Sequence, residues 1–170
     1  MDVKEAIRTI LAVRSFEDRT VPREVIDEIL EAGRLTASSM NKQPWYFVVV
    51  QERAQLQKLA EIATTGTYIA EAPLAIVVAV ERTKWSLSDA SRAVQDMMLT
   101  AWAEGVGSNW VGFVGQLSGM NEVLGIPAEL DVVTIVPFGY PAAHIGKGKK
   151  NRKPAAELVH WGKWGAHETS

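Results

Sequence analysis

Val3, Ile7, Ile10 and Leu11 recur every three to four positions, which predicts an amphipathic helix over 3–11. A second helix is predicted from Pro22, whose fixed φ suits a first helical position. Val25, Ile26, Ile29 and Leu30 form its apolar face, and Gly33 lies near its end. Residues 45–51 (WYFVVVQ) and 73–80 (PLAIVVAV) are continuous, β-branched apolar runs and read as buried strands. Between them, Leu56, Leu59, Ala60 and Ala63 mark a helix over 52–63. Ser88 or Asp89 can cap a long helix over 90–104. Its stripe of Ala90, Ala93, Val94, Met97, Met98, Ala101 and Trp102 is wide enough for a largely buried, central helix. A strand over 108–114, a short helix over 118–124 and a strand over 132–139 complete the series. Pro137 inside the last strand argues for an edge position or a bend. Helices and strands alternate irregularly, so the class is α+β or α/β with four or five strands.

With 170 residues, 47% of them hydrophobic and 22% charged, the chain is expected to be a single domain, 1–170. The formal charge of -2 argues against a general nucleic-acid binder. The absence of cysteine excludes disulfides and thiolate chemistry. His144, His160 and His167 have no metal-ligand spacing, so no metal site is expected. The chain opens without a basic segment leading into an apolar one. No apolar run approaches the ~20 residues of a membrane span. A cytoplasmic protein without membrane contact is expected.

Four features could carry chemistry. Residues 38–45 (SSMNKQPW) join a helix to a buried strand and gather hydroxyls, carboxamides and a proline. An amide side chain offers both donors and an acceptor and matches a heterocycle edge with N–H and C=O groups. A plain turn-forming loop is the simpler alternative. Residues 147–153 (KGKKNRK) hold five cations and no acid, a pattern suited either to a phosphate or to a solvated surface. Arg14, between Val13 and Ser15, is expected to be partly buried and to need an acceptor, from a ligand or from Glu17 or Asp18. Gly107 and Gly112 permit close backbone approach to a planar ligand, although a glycine at a helix end needs none. The dinucleotide fingerprint, Walker A, zinc-protease and nucleophile-elbow motifs are absent. Trp161 and Trp164 lie in a tail too short to bury them, which points to packing on a partner subunit.

In order along nearly the whole chain, these segments resemble the FMN-dependent nitroreductase family. Val13-Arg14-Ser15-Phe16 is similar to the end of its N-terminal motif R-R-S-x-R-x-F. Ser38-Ser39-x-Asn41-x-Gln43-Pro44-Trp45 matches the signature P-S-x-x-N-x-Q-P-W, the most specific piece. The helix from Asp89, the segment Gly105 to Gly112, Leu124-Gly125-Ile126-Pro127 and Gly139-Tyr140-Pro141 continue the match.

The resemblance implies an α+β homodimer whose central, mostly antiparallel sheet is flanked by helices, with FMN at the two interface sites. It implies that Arg14 reaches flavin pyrimidine or ribityl oxygens and that Asn41 bonds the pyrimidine edge. Ser38, Ser39 and Gln43 belong to the loop that approaches the flavin. Gly112 and Phe113 present backbone N–H groups to flavin N5, and Lys150 and Arg152 grip the phosphate. The implied activity is transfer of a hydride from NAD(P)H through the flavin to a small acceptor such as a nitroaromatic or quinone, with no side-chain acid, base or nucleophile. The chain departs from the family pattern at Ile10, Leu11 and Ala12, which replace two arginines and a serine. Either the basic loop compensates or FMN binding is weak. The alternatives are a non-catalytic flavin-binding or regulatory dimer and a specialised flavin or deazaflavin enzyme.

Overall fold

The apolar run at 74–80 lies at the centre of the structure, a computed structural model that describes residues 1–143 and 150–166. Four strands, β1 (Trp45–Val50), β2 (Leu74–Glu81), β3 (Gly107–Ser108) and β4 (Leu130–Gly139), form one antiparallel sheet in the order β1-β2-β4-β3. The helices are α1 (Val3–Thr9), α2 (Arg23–Leu35), α3 (Arg53–Ile62), α4 (Ser86–Ala103), α5 (Met120–Leu124) and α6 (Ala155–Leu158). On one sheet face Leu74, Ile76, Val78 and Val80 pack with Ile26 and Ile29 of α2 and with the buried stripe of α4. On the other, Ala75, Val77 and Ala79 pack with Leu56 and Leu59 of α3 and with Met120 of α5. Both faces of β2 are covered, so the strand has no solvent side and no polar alternation. The architecture is the α+β arrangement expected. Among the described residues no helix is long and apolar enough to cross a membrane.

Several boundaries differ from expectation, each for a tertiary reason. α1 ends at Thr9 and not at residue 11, because the chain turns extended at Ile10. Val13 N–H then donates to Ser108 O at 2.9 Å and Ala12 bridges Ser108 in parallel. Gly33 lies near the end of α2, in its last turn, as expected. A Cβ there would come within 2.7 Å of Met97 Sδ, so the glycine permits the close approach of α2 to α4. α4 begins at Ser86, one turn before the expected start. The Ser86 hydroxyl donates to Glu81 O at 2.5 Å and accepts from Thr83 N–H at 3.2 Å, which ties the first turn to the end of β2.

Pro137 lies on β4, an inner strand, which corrects the edge expectation. Its place coincides with a gap in the β3–β4 ladder. Gly107 pairs Gly139, Ser108 pairs Phe138, and the same register resumes at Val111 opposite Ile135. The residue facing Pro137 in that register would be Asn109, and proline has no N–H to give it. The strand expected over 108–114 is therefore cut to two residues and one isolated bridge.

Candidate functional site

The loop between α2 and β1 is tightly bent. Met40, Asn41 and Gln43 all have positive φ (52°, 53° and 49°), a conformation non-glycine residues adopt at a cost of about 1–2 kcal/mol each. Local bonds hold it. Asn41 N–H donates to Ser38 O at 3.0 Å, and Gln43 N–H donates to the Ser38 hydroxyl at 2.9 Å. The Gln43 amide donates to Asn41 O at 3.3 Å and Oδ1 at 3.2 Å. The decisive anchor comes from α4. Asp89, whose side chain is 1% exposed, accepts Ser39 N–H at 3.1 Å on both carboxylate oxygens and the Ser39 hydroxyl at 3.0 Å on Oδ1. Arg92, one turn along α4, pairs with the same carboxylate. Asp89 is thus not the helix cap expected from sequence but a buried tether for the loop that carries Asn41. The Asn41 NH₂ makes no hydrogen bond among the described residues, so it is free to donate outward.

A second centre forms where the two ends of the chain meet. Lys150 Nζ donates to Ile7 O, 143 positions earlier in sequence. Lys150, Arg152 and Arg8 line a cleft of about 600 Å³ whose apolar wall comes from Ile10, Leu11, Ala12 and Met98. Gln95 of α4 adds a neutral amide. The aliphatic replacements near the start of the chain therefore face the basic segment near its end. Cations beside an apolar wall, in a cleft of ordinary ligand size, fit a phosphate ester carried on a largely apolar body. Residues 147–149 of the basic loop lie outside the described residues.

Two further expected residues stand elsewhere. Arg14 is exposed, not partly buried, because the extended segment alternates and Val13 takes the inward position. Arg14 forms no ion pair among the described residues. Neighbouring Arg19 instead stacks on Tyr140, 3.7 Å from its ring centroid. Gly112 has φ +77°, and a Cβ there would lie 2.7 Å from Leu117 Cδ2, so only glycine is comfortable. It opens on a polar recess of about 280 Å³ with Thr64, Thr65 and Gln116, while the Trp110 indole N–H caps its carbonyl at 2.7 Å. Phe113 is 63% exposed.

The structure thus brings Lys150 and Arg152 together. It sets the 38–43 loop, Arg14 and the Gly112–Phe113 turn outside the cleft those two line. Sequence reasoning missed Arg8, Gln95 and the tethering role of Asp89. Arg8 stands two positions before the first aliphatic replacement, and only the end of α1 at Thr9 makes that spacing informative. Asp89 gave no signal, since its partner lies 50 positions away.

The model of the Nitroreductase family matches residues 8–74 and 65–140. A relative from Methanothermobacter thermautotrophicus, provisionally named NADH dehydrogenase/NAD(P)H nitroreductase, is 34% identical over 154 residues, covering 86% of this chain and 81% of its own. A Bacillus subtilis protein named FMN reductase [NAD(P)H] is 26% identical over 173 residues, 88% of this chain and 69% of its own. Among solved structures, an FMN-dependent nitroreductase from Clostridium difficile superposes with a TM-score of 0.84 at 26% identity, covering 94% of this chain and 98% of that one.

Proposed function

The chain belongs to the nitroreductase family, and from that premise we propose that it is an FMN-dependent oxidoreductase that draws its electrons from NAD(P)H. The observation that carries the reading is the cleft in which Lys150 and Arg152 face residues 10–12. When bound, FMN would supply the redox chemistry, hydride exchange in ping-pong order between NAD(P)H and a small oxidised acceptor such as a nitroaromatic or quinone. The protein binds and orients. Lys150, anchored on Ile7 O, and Arg152 hold the phosphate as a point charge and a fork. Asn41 presents its amide to the pyrimidine edge, with Ser38, Ser39 and Gln43 fixing the loop's shape. Arg14, exposed and without an ion pair among the described residues, would reach ribityl or pyrimidine oxygens. The Gly112 and Phe113 N–H groups would donate to the ring nitrogen that exchanges hydride, where donors aimed at developing negative charge are most useful.

Two copies complete the site in this reading. Within one chain the 38–43 loop does not line the cationic cleft, and a second protomer supplies it. The tail supports pairing, since Leu158, Val159 and Trp161 are exposed and Trp164 is 88% exposed. The test is titration of the purified protein with FMN, followed by NADH and NADPH oxidation with menadione and nitrofurazone. A yellow dimer that turns over either acceptor is the expected result. A protein that binds FMN yet oxidises neither nucleotide would favour the rival reading of a flavin-binding dimer without catalysis, which the aliphatic wall at Ile10 and Leu11 motivates.

A further inference from the structure

We infer that Arg8 is a third phosphate-binding residue of the cationic cleft and that the trio Arg8, Lys150 and Arg152 selects a dianionic phosphate monoester. The inference rests on the flavin reading above but adds a residue that neither the motifs nor the comparisons assign. Arg8 occupies the last turn of α1, is exposed, and forms no ion pair among the described residues. It shares the lining of one cleft with Lys150 and Arg152, and none of the described lining residues is acidic. Three like charges gathered without a counter-charge repel one another, and a protein of net charge -2 has acids to spare for neutralising them. Their arrangement is relieved by a ligand that brings negative charge. A monoester brings two such charges, a diester one and a neutral flavin none. Of the other lining side chains, Ile7, Ile10, Leu11, Ala12 and Met98 offer no N–H or O–H donor, and Gln95 offers a neutral amide that brings no charge.

An alternative role for Arg8 is structural, with the cation complementing the C-terminal end of α1. The two roles separate by experiment. Dissociation constants are measured by flavin fluorescence for FMN and riboflavin on the wild type, Arg8→Ala, Arg8→Lys and the double variant Arg8→Ala/Ile10→Arg, with thermal unfolding recorded for each. Arg8→Ala is expected to weaken FMN roughly tenfold, the low end for a bond to a charged group, and to change riboflavin less than about twofold on the same scale. Arg8→Lys should recover most of the affinity. Arginine at position 10, on the wall of the same cleft, should restore FMN binding in the double variant. An Arg8→Ala protein that keeps wild-type FMN affinity overturns the assignment, as does one that loses both flavins alike together with thermal stability. A wild type that binds neither flavin sinks the flavin reading instead. Calorimetric titration with inorganic phosphate then decides the Arg8 claim alone: heat that disappears in Arg8→Ala sustains it, and no heat in the wild type ends it.

Discussion

Replacing Asp89 by alanine should both destabilise the protein and weaken its hold on any flavin, and the structure allows the size of the effect to be worked out. The side chain is buried and accepts from Ser39 N–H, the Ser39 hydroxyl and Arg92. Hydrogen bonds to a charged group contribute about 1.5–3 kcal/mol each. The sum is smaller than three such bonds, because the Arg92 side chain is 50% exposed and returns to water when its partner is removed. The Ser39 N–H, only partly buried, regains some solvent as well. A net loss of about 3 kcal/mol follows for Asp89→Ala, and about 1.5 kcal/mol for Ser39→Ala, which removes only the hydroxyl's bond to the carboxylate. At 2–4 °C per kcal/mol for a chain of this size, the melting temperature should fall by roughly 6–12 °C and 3–6 °C respectively.

The loss should not stay local. Three left-handed non-glycine residues make the ordered loop expensive on its own, so releasing its tether lets the chain leave that conformation. Asn41 then loses its fixed position, and FMN and riboflavin should weaken together, because the pyrimidine edge is common to both. Thermal unfolding by circular dichroism and fluorescence titration with the two flavins make the assay. Ser39→Ala provides the mild variant whose folding is not in doubt. An Asp89→Ala protein that melts within 2 °C of the wild type (under about 1 kcal/mol) refutes the tether. One that melts early but binds both flavins at wild-type strength shows that the loop order does not serve flavin binding.

Other substitutions probe the remaining parts. Arg152→Ala should weaken FMN by about 1.5–3 kcal/mol and leave riboflavin unchanged; an equal loss for both would show that Arg152 does not touch phosphate. Gly112→Ala should cost about 1–3 kcal/mol, since φ is +77° and the new methyl meets Leu117 Cδ2 at 2.7 Å, and chemical denaturation would detect it; an unchanged midpoint would mean the turn rearranges freely. Replacing Trp161 and Trp164 by serine should shift the chain toward monomer in sedimentation equilibrium without lowering the unfolding midpoint of the monomer, and a dimer of unchanged strength would remove the tail from the interface.

The parts of the fold legible in the sequence are those whose cause is local or averages over a whole face. β2 reads as a buried strand because both of its faces meet helices, and α4 reads as central because its apolar stripe is wide. What stayed hidden is assigned by partners distant in the chain. Ser88 and Asp89 carry the chemistry of a helix cap, but the Thr83 and Ser86 hydroxyls already tie down the start of α4, which frees Asp89 to accept from a loop 50 positions away. Pro137 obeys its own rule, yet the rule was satisfied by breaking the neighbouring ladder instead of moving its strand to an edge. The candidate site divides in the same way. Lys150 and Arg152 were visible as a charge anomaly, but only folding shows that they face the residues that replaced two arginines, and that Arg8 stands beside them. A cation two positions from a lost one is unremarkable in a helical pattern. It acquires meaning because α1 stops at Thr9, which turns Ile10 and Leu11 out of the helix and onto the cleft wall with Arg8 at its rim.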